Sequence, residues 1–475
     1  MRYAIVVAAA IAACGDNIHA FPPSADYAGF CDVPRSGTDP ISGDPYRDKP
    51  GTTMDEKLWV RSWIDELYLW YDEVPNLDAS RVTTPIQYFS ALKTYNTTPS
   101  GKPKDQFHFT YDTAAWESLA VTGVSAGYGA SFAVVAPKPP RQVVVAYTEP
   151  GSPADGVLAR GDEVLQVDGL DVVNSDNVDG LNAGLFPNNL DESHTFVVYH
   201  PGDASARTVQ LTSASITGTP VQHVGTVAPG VGYILFNDHD IPAELELVAA
   251  ITQLQGVSDL VLDLRYNGGG YLAIASEVAF MIAGPTTTAN KTFDQIQFNA
   301  KYPTTDPVTG DPLAPTPFID KSVFQQMPMP LPHLDLPRVF VLTGPNTCSA
   351  SEAIINGLTG IGVQVIQIGD TTCGKPYGFY PQDNCGVTYF SIEFRGVNDV
   401  GFGDYSDGFS ADGSTSATLP GCVVADDFAH PLGDPAEGRL AAALQYRASQ
   451  TCPPASRGGG VVHKPLWLQN RIYMR

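Results

Sequence analysis

From about residue 228 to residue 450 the chain alternates short apolar runs with segments of helical period. Asp259–Leu264, Arg338–Thr343 and Val363–Ile368 read as buried strands, and Pro242–Gln255, Tyr271–Ala283 and Gly438–Ser449 as helices. Strands that are apolar on both faces need cover on both faces. Repeated strand–helix units supply it in a parallel sheet, so this region is expected to be an α/β core. Residues 284–336, rich in Pro and Thr, read as a loop excursion from that core.

With 475 residues the chain has room for more than one domain at about 150 residues each. Residues 57–74, KLWVRSWIDELYLWYDEV, place Leu58, Trp59, Trp63, Ile64, Leu67, Leu69 and Trp70 at helical spacing. They predict an amphipathic helix in a small helical domain, residues 53–120. Residues 124–212 change to short strands rich in β-branched and aromatic residues. A net charge of −24 argues against nucleic acid and against an anionic membrane surface as partners, because both need a basic face.

The N-terminus carries Arg2, the apolar run Ala4–Ala13 and then Cys14. This run is too short to cross a bilayer and suits a signal peptide. With Ile11-Ala12-Ala13-Cys14 at its end, it resembles a bacterial lipoprotein signal, which implies lipidation of Cys14 and an exported, periplasmic or outer-membrane-anchored protein. Residues 1–13 are then the signal, and 14–52, rich in Pro, Gly, Asp and Ser, a tether. Six cysteines remain, and six allow 15 pairings. The expected set is Cys348–Cys373, Cys385–Cys422 and Cys31–Cys452. No cysteine or histidine cluster suggests zinc, and no metal or cofactor is expected.

Two stretches within 124–212, GSPADG (151–156) and RGDEVLQVDG (160–169), closely resemble a PDZ domain. The loop Gly127-Tyr128-Gly129-Ala130 lies where that family holds a peptide C-terminus. Glycines there let consecutive N–H groups converge on a carboxylate, while the following strand pairs with the peptide backbone.

Three further motifs follow in order: DLRYNGGG (263–270), SASE (349–352) and GDTTCGK (369–375). SASE alone fits a helix capping box, with Ser349 and Glu352 at S-x-x-E spacing. The glycine turn alone fits a structural turn or an anion site; the phosphate-loop form GxxxxGK[ST] is absent. The ordered set, with the PDZ stretch before it, resembles the tail-specific or C-terminal processing serine peptidases over roughly residues 55–450. The resemblance implies a crotonase/ClpP-like ββα peptidase core at 225–450, followed by a tail at 451–475. It implies Ser349 as nucleophile, Lys375 as general base, the N–H groups of Gly270 and Ala350 as an oxyanion hole, and Ser351 in support.

Lysine can act as a base only when neutral, and an apolar pocket favours that form by desolvation; Tyr377, Phe379 and Tyr380 are the expected walls. The chain departs from the family pattern at Pro376, Phe379 and Gly360, which stand where relatives carry glycine, glutamine and aspartate. The expected substrates are protein or peptide chains with apolar C-termini. Two alternatives stay open: a non-catalytic peptide or apolar-ligand binder of the same fold, and a histidine-based hydrolase using His239 or His430. The sequence leaves the oligomeric state undetermined.

Overall fold

The computed structural model describes residues 21–456 except 40, 41, 123 and 188, together with Val461 and Val462. Cys14 and the expected signal lie outside the described residues. The architecture is mixed α/β with several packed units. Its centre is a six-stranded sheet in the order Val221–Ala228, Val231–Phe236, Asp259–Asp263, Arg338–Thr343, Gln364–Gly369 and Gly421–Cys422. Only the first pair is antiparallel; the remaining neighbours are parallel. Val231–Phe236 and Asp259–Asp263 are buried at every residue, as central parallel strands must be.

The helices Ile241–Gln253, Leu272–Thr288 and Ala350–Gly360 pack on one face with Leu247, Ile251, Ile274, Val278 and Ile354. Helix Gly438–Ser449 packs on the other through Leu440, Ala442 and Ala443. The first of these helices starts where Asp240 caps the Ala243 N–H and Pro242 fills the first turn. The second runs past the expected end at Ala283, but Gly284 breaks its geometry with φ +73° and ψ 168°, followed by Pro285. No helix among the described residues is long and apolar enough to cross a membrane.

The excursion after this break is clamped by a buried acid pair. The Glu244 carboxylate accepts the N–H groups of Val323 (2.6 Å) and Phe324 (2.9 Å) and the Gln325 amide (2.7 Å). Glu277 is fully buried beside it, and burial, reinforced by the Glu244 charge, pushes its carboxyl up to about 9 from 4.5. The unfolded chain then binds fewer protons than the folded one between those values. Folding stability therefore falls as pH rises from 4.5 to about 9. Glu277→Gln is neutral at every pH and removes this titration. It should melt higher than the parent at pH 8 by an equivalent of roughly 2–3 kcal/mol, with the gap closing toward pH 5. Parallel melting curves at both pH values check this; an equal gap at both would contradict it.

The helix Thr53–Leu67 begins with a Thr52–Asp55 capping box. Its aromatic face is core, with Trp59 and Trp63 stacked at 5.4 Å. That core is shared: Phe379, Tyr389, Phe390 and Ile392, from late in the chain, join Trp59, Trp63, Tyr68 and Phe89 in one cluster. The helical unit is thereby fused to the region carrying Lys375.

Two expectations need correction. From residue 21 onward the tether is docked. Phe30–Cys31 pairs with Lys49–Pro50, the Gly29 N–H donates to Asn384 Oδ1 at 2.9 Å, and Cys31 is bonded to Cys385. The disulfides are Cys31–Cys385, Cys348–Cys373 and Cys422–Cys452, so the pairings Cys385–Cys422 and Cys31–Cys452 do not form. Cys385 sits in the turn between Gln382–Asn384 and Val387–Phe390, against the docked N-terminal segment. Cys422 ends the sheet's last strand, near the chain leaving the final helix. Chain order reveals neither proximity.

The region from 124 to 212 forms a second sheet in the order Arg207–Thr212, Ser193–Tyr199, Glu163–Val167, Gln142–Thr148, Ala130–Ala136 and Val461–Val462. With the helix Val178–Leu185 it encloses its own core of Phe132, Val145, Leu158, Val164, Leu181 and Phe196. Arg160 rivets this unit to the central sheet, bonding the Tyr266 hydroxyl and the Asp426 carboxylate, each at 2.7 Å. Beneath it Arg265, also buried, binds Glu437 through two nitrogens at 2.7 and 2.9 Å.

Candidate active site

Three loops at the C-terminal ends of neighbouring parallel strands meet at one place. The first leaves the strand Asp259–Asp263. Asn267, fully buried, accepts the Gly269 N–H on Oδ1 at 2.9 Å and donates from Nδ2 to the Phe236 carbonyl at 3.0 Å. The same Oδ1 lies 2.9 Å from His239 Nδ1, so that ring nitrogen carries the proton. Gly269 and Gly270 have φ of +98° and +146°, where side-chain-bearing residues are strained. A Cβ on Gly269 would stand 2.8 Å from the Cys348 carbonyl and Ser349 Cβ and 2.9 Å from the Ala350 nitrogen. The glycine turn thus touches the loop that carries Ser349.

That second loop leaves the strand Arg338–Thr343. Cys348 N–H and Ser351 Oγ both donate to the Asn267 carbonyl at 3.1 Å. Ser351 is therefore held in the scaffold. Ser349 sits at φ +56°, ψ −116°, directly before the helix Ala350–Gly360. A non-glycine residue in that region is strained, and such strain marks serines thrust out at a strand-to-helix turn. Among the described residues, the N–H groups of Gly270 and Ala350 donate to no protein acceptor. The bonds to His239 are made by the flanking Gly269 carbonyl and Tyr271 N–H.

The third loop follows Gln364–Gly369 and carries Lys375, which is 1% exposed. Its Nζ lies 4.3 Å from the Phe379 ring centre and 5.0 Å from that of Phe107. Burial pushes the amine well below its ordinary value, against the opposing pull of Glu352 and Asp105. Of the expected walls, Phe379 lies against the amine. Tyr377 packs edge-on to Trp70 at 4.9 Å, and the Tyr380 hydroxyl donates to Asp306 at 2.7 Å. Phe107 and Asp105 come from the helical unit; nothing near the SASE or GK motifs points to them.

Glu352 joins the second loop to the third. Its buried carboxylate accepts the N–H groups of Ser349 (3.1 Å), Gly374 (2.9 Å) and Lys375 (2.8 Å) and the Thr372 hydroxyl (2.5 Å). Burial raises its carboxyl above the ordinary value, and these donors oppose the rise. The capping-box glutamate thus extends well beyond its own helix. The disulfide Cys348–Cys373 clamps the same two loops covalently. Cys348, Glu352 and Cys373 place their ligand atoms within 4.8 Å of one another, but with both sulfurs in the disulfide they do not make an ion site.

The other candidate residues lie apart from this junction. His430 is bonded to Asp427 at 2.6 Å in an exposed setting. Gly127 pairs with Ala214, the Tyr128 hydroxyl donates to the Gly184 carbonyl at 2.9 Å, and Gly129 turns at φ +73°. Ala130 then opens the strand Ala130–Ala136.

Residues 230–378 match the family model described as Peptidase family S41, and residues 55–111 match the Peptidase S41 N-terminal domain. The chain carries S41 peptidase domains. The S41 match contains Gly270, Ser349 and Lys375, and the N-terminal match contains Asp105 and Phe107, so one pocket draws on both. A Carboxyl-terminal-processing protease of Picosynechococcus sp. is 29% identical over 234 residues, 48% of this chain and 49% of that one. A chloroplastic C-terminal processing peptidase of Tetradesmus obliquus is 34% identical over 159 residues, 30% of this chain and 34% of that one. The aligned stretches thus span half or less of these relatives. A crystal structure from Bacteroides fragilis, assigned to the S41 proteases, superimposes with a TM-score of 0.60 at 21% identity, covering 83% of this chain and 97% of that one. At that identity the likeness is one of fold.

Proposed function

We propose that this S41 chain is an exported serine endopeptidase acting on protein or peptide chains through a Ser349–Lys375 dyad. The observation that carries the reading is the Ser349 loop, strained at φ +56° and joined through Glu352 to a desolvated lysine. Neutral Lys375 takes the Ser349 proton as Oγ bonds to the scissile carbonyl carbon. The N–H groups of Gly270 and Ala350 receive the oxyanion, a single such donor being worth about 3 kcal/mol in serine proteases. Protonated Lys375 then gives its proton to the leaving amine, and water, deprotonated by the same lysine, releases the acyl group. In this reading residues 225–450 are a crotonase/ClpP-like core and 53–120 the helical domain. Residues 124–212 are a PDZ domain whose loop Gly127–Ala130 receives an apolar C-terminal tail. Three disulfides favour an oxidising compartment and hence export, with Cys14 as the lipid anchor.

Tail recognition is tested with two peptides of one sequence, one ending in a free apolar C-terminus and one amidated. The free form should be cleaved at least about tenfold faster at low concentration, because capture of a carboxylate is lost on amidation. Equal rates would remove the PDZ domain from substrate selection.

A further inference from the structure

The strand Ala130–Ala136 has Gln142–Thr148 on one edge, and its other edge is taken by the chain's own Val461–Val462. The pairing is antiparallel, Val461 opposite Val134 and Val462 opposite Ala133. The tail strand therefore advances toward Ala130 and the Gly127–Gly129 turn. This is the direction in which a chain adding to a sheet edge would bring its C-terminus to that turn.

Val462 is fully buried and belongs to the same apolar cluster as Ala133, Ala146, Tyr147, Tyr233 and Leu342. Its backbone is also held from the loop that follows the central strand Arg338–Thr343. Asn346 Nδ2 donates to the Val462 carbonyl at 2.7 Å, and the Val462 N–H donates to Asn346 Oδ1 at 2.8 Å. A side-chain amide here substitutes for a neighbouring strand. Asn346 is 5% exposed and stands three residues before Ser349, in the loop fixed by Thr347 and Cys348 to Leu264 and Asn267.

We infer that the strand Val461–Val462 is an internal competitor for peptides at the Ala130–Ala136 edge, seated between that edge and the Asn346 loop. An exposed sheet edge pairs with any extended chain of suitable side chains. A tethered segment holds it at high effective concentration, so a free peptide must first displace the tail. Occupancy of the edge stands on the pairing alone. That the tail thereby restrains hydrolysis rests on the peptidase reading above.

The test uses the full chain carrying Ser349→Ala, so that no probe is consumed, and compares it with Val462→Asp and with deletion of residues 457–475 in the same background. The probe is a fluorescein-labelled synthetic peptide of residues 457–466, RGGGVVHKPL, followed by fluorescence anisotropy. Both variants should bind it at least tenfold more tightly than the parent. Adding Asn346→Ala to the deletion should weaken that binding again. Equal affinity in parent and variants, or no binding to either variant, would overturn the inference. Hydrolysis of casein by the Ser349-containing chain is measured separately. A chain that binds as expected yet cleaves nothing defeats the peptidase reading and leaves the competition standing.

Discussion

Replacing Ser349 by Ala, or Lys375 by Met, should each reduce hydrolysis of an unfolded protein such as casein by roughly 10⁴-fold or more, because members of a catalytic unit fail together. The two variants should part company in stability. The folded state holds the Lys375 amine well below its ordinary 10.5, so the unfolded chain binds more protons until the pH passes that value. Burying this group therefore opposes folding at neutral pH, and the opposition fades as pH rises toward 10.5. Lys375→Met removes it and should melt above the parent at pH 7, whereas Ser349→Ala keeps a Cβ at the same strained φ and should melt close to the parent. The same desolvation sets the direction of the pH–rate profile. In the proposed mechanism activity requires the neutral amine, so it should fall on the acid side as Lys375 takes up a proton. Casein peptide release and thermal melting of the three proteins, run side by side, check both statements.

Glu352→Gln should be the most damaging change among residues that touch no substrate. The carboxylate receives four donors on its two oxygens, the N–H groups of Ser349, Gly374 and Lys375 and the Thr372 hydroxyl. A glutamine must turn its NH2 toward one pair of them, placing donor against donor in a buried site. Unsatisfied buried donors cost about 1–3 kcal/mol each, so a loss on the order of 2–5 kcal/mol is expected. The disulfide Cys348–Cys373 keeps the loops joined, so the variant should fold with Ser349 and Lys375 displaced relative to each other. A displacement of about 1 Å at a reacting centre costs on the order of 10²-fold in rate. The loss should appear in kcat with KM little changed. A variant whose KM alone rises would contradict this positioning role.

How far the residues disclosed this site depends on what kind of signal each carried. Three of the six strands of the central sheet were legible because they are apolar on both faces, and its helices because they are periodic; both patterns come from local burial. Ser349, Gly270 and Lys375 stand in an ordered motif set, each in the loop after a parallel strand, and the structure brings those three loops together. The role of Glu352 was legible only in part. Its S-x-x-E spacing announces the Ser349 N–H, but nothing local announces bonds to Gly374 and Lys375, some 22 and 23 residues on. Phe107 and Asp105 were invisible because they reach Lys375 across the fused aromatic core, a contact with no periodic trace. Two of the three expected disulfides failed for the same reason, while Cys348–Cys373 forms as expected. Cys31 and Cys385 lie 354 residues apart and meet only because the segment expected to be a tether is packed down. The tail strand of Val461–Val462 is two residues long, too short for any alternation pattern to reveal it.

The dyad itself is tested most directly by mapping where a small acylating ester, p-nitrophenyl acetate, modifies the folded protein. Peptide mass spectrometry should find one acetyl group on Ser349, and none there in Lys375→Met or in the unfolded parent. Recovery of Ser349 unmodified from a sample acid-quenched during the first turnover, before water releases the acetyl group, or equal labelling of Ser349 without Lys375, would contradict the account.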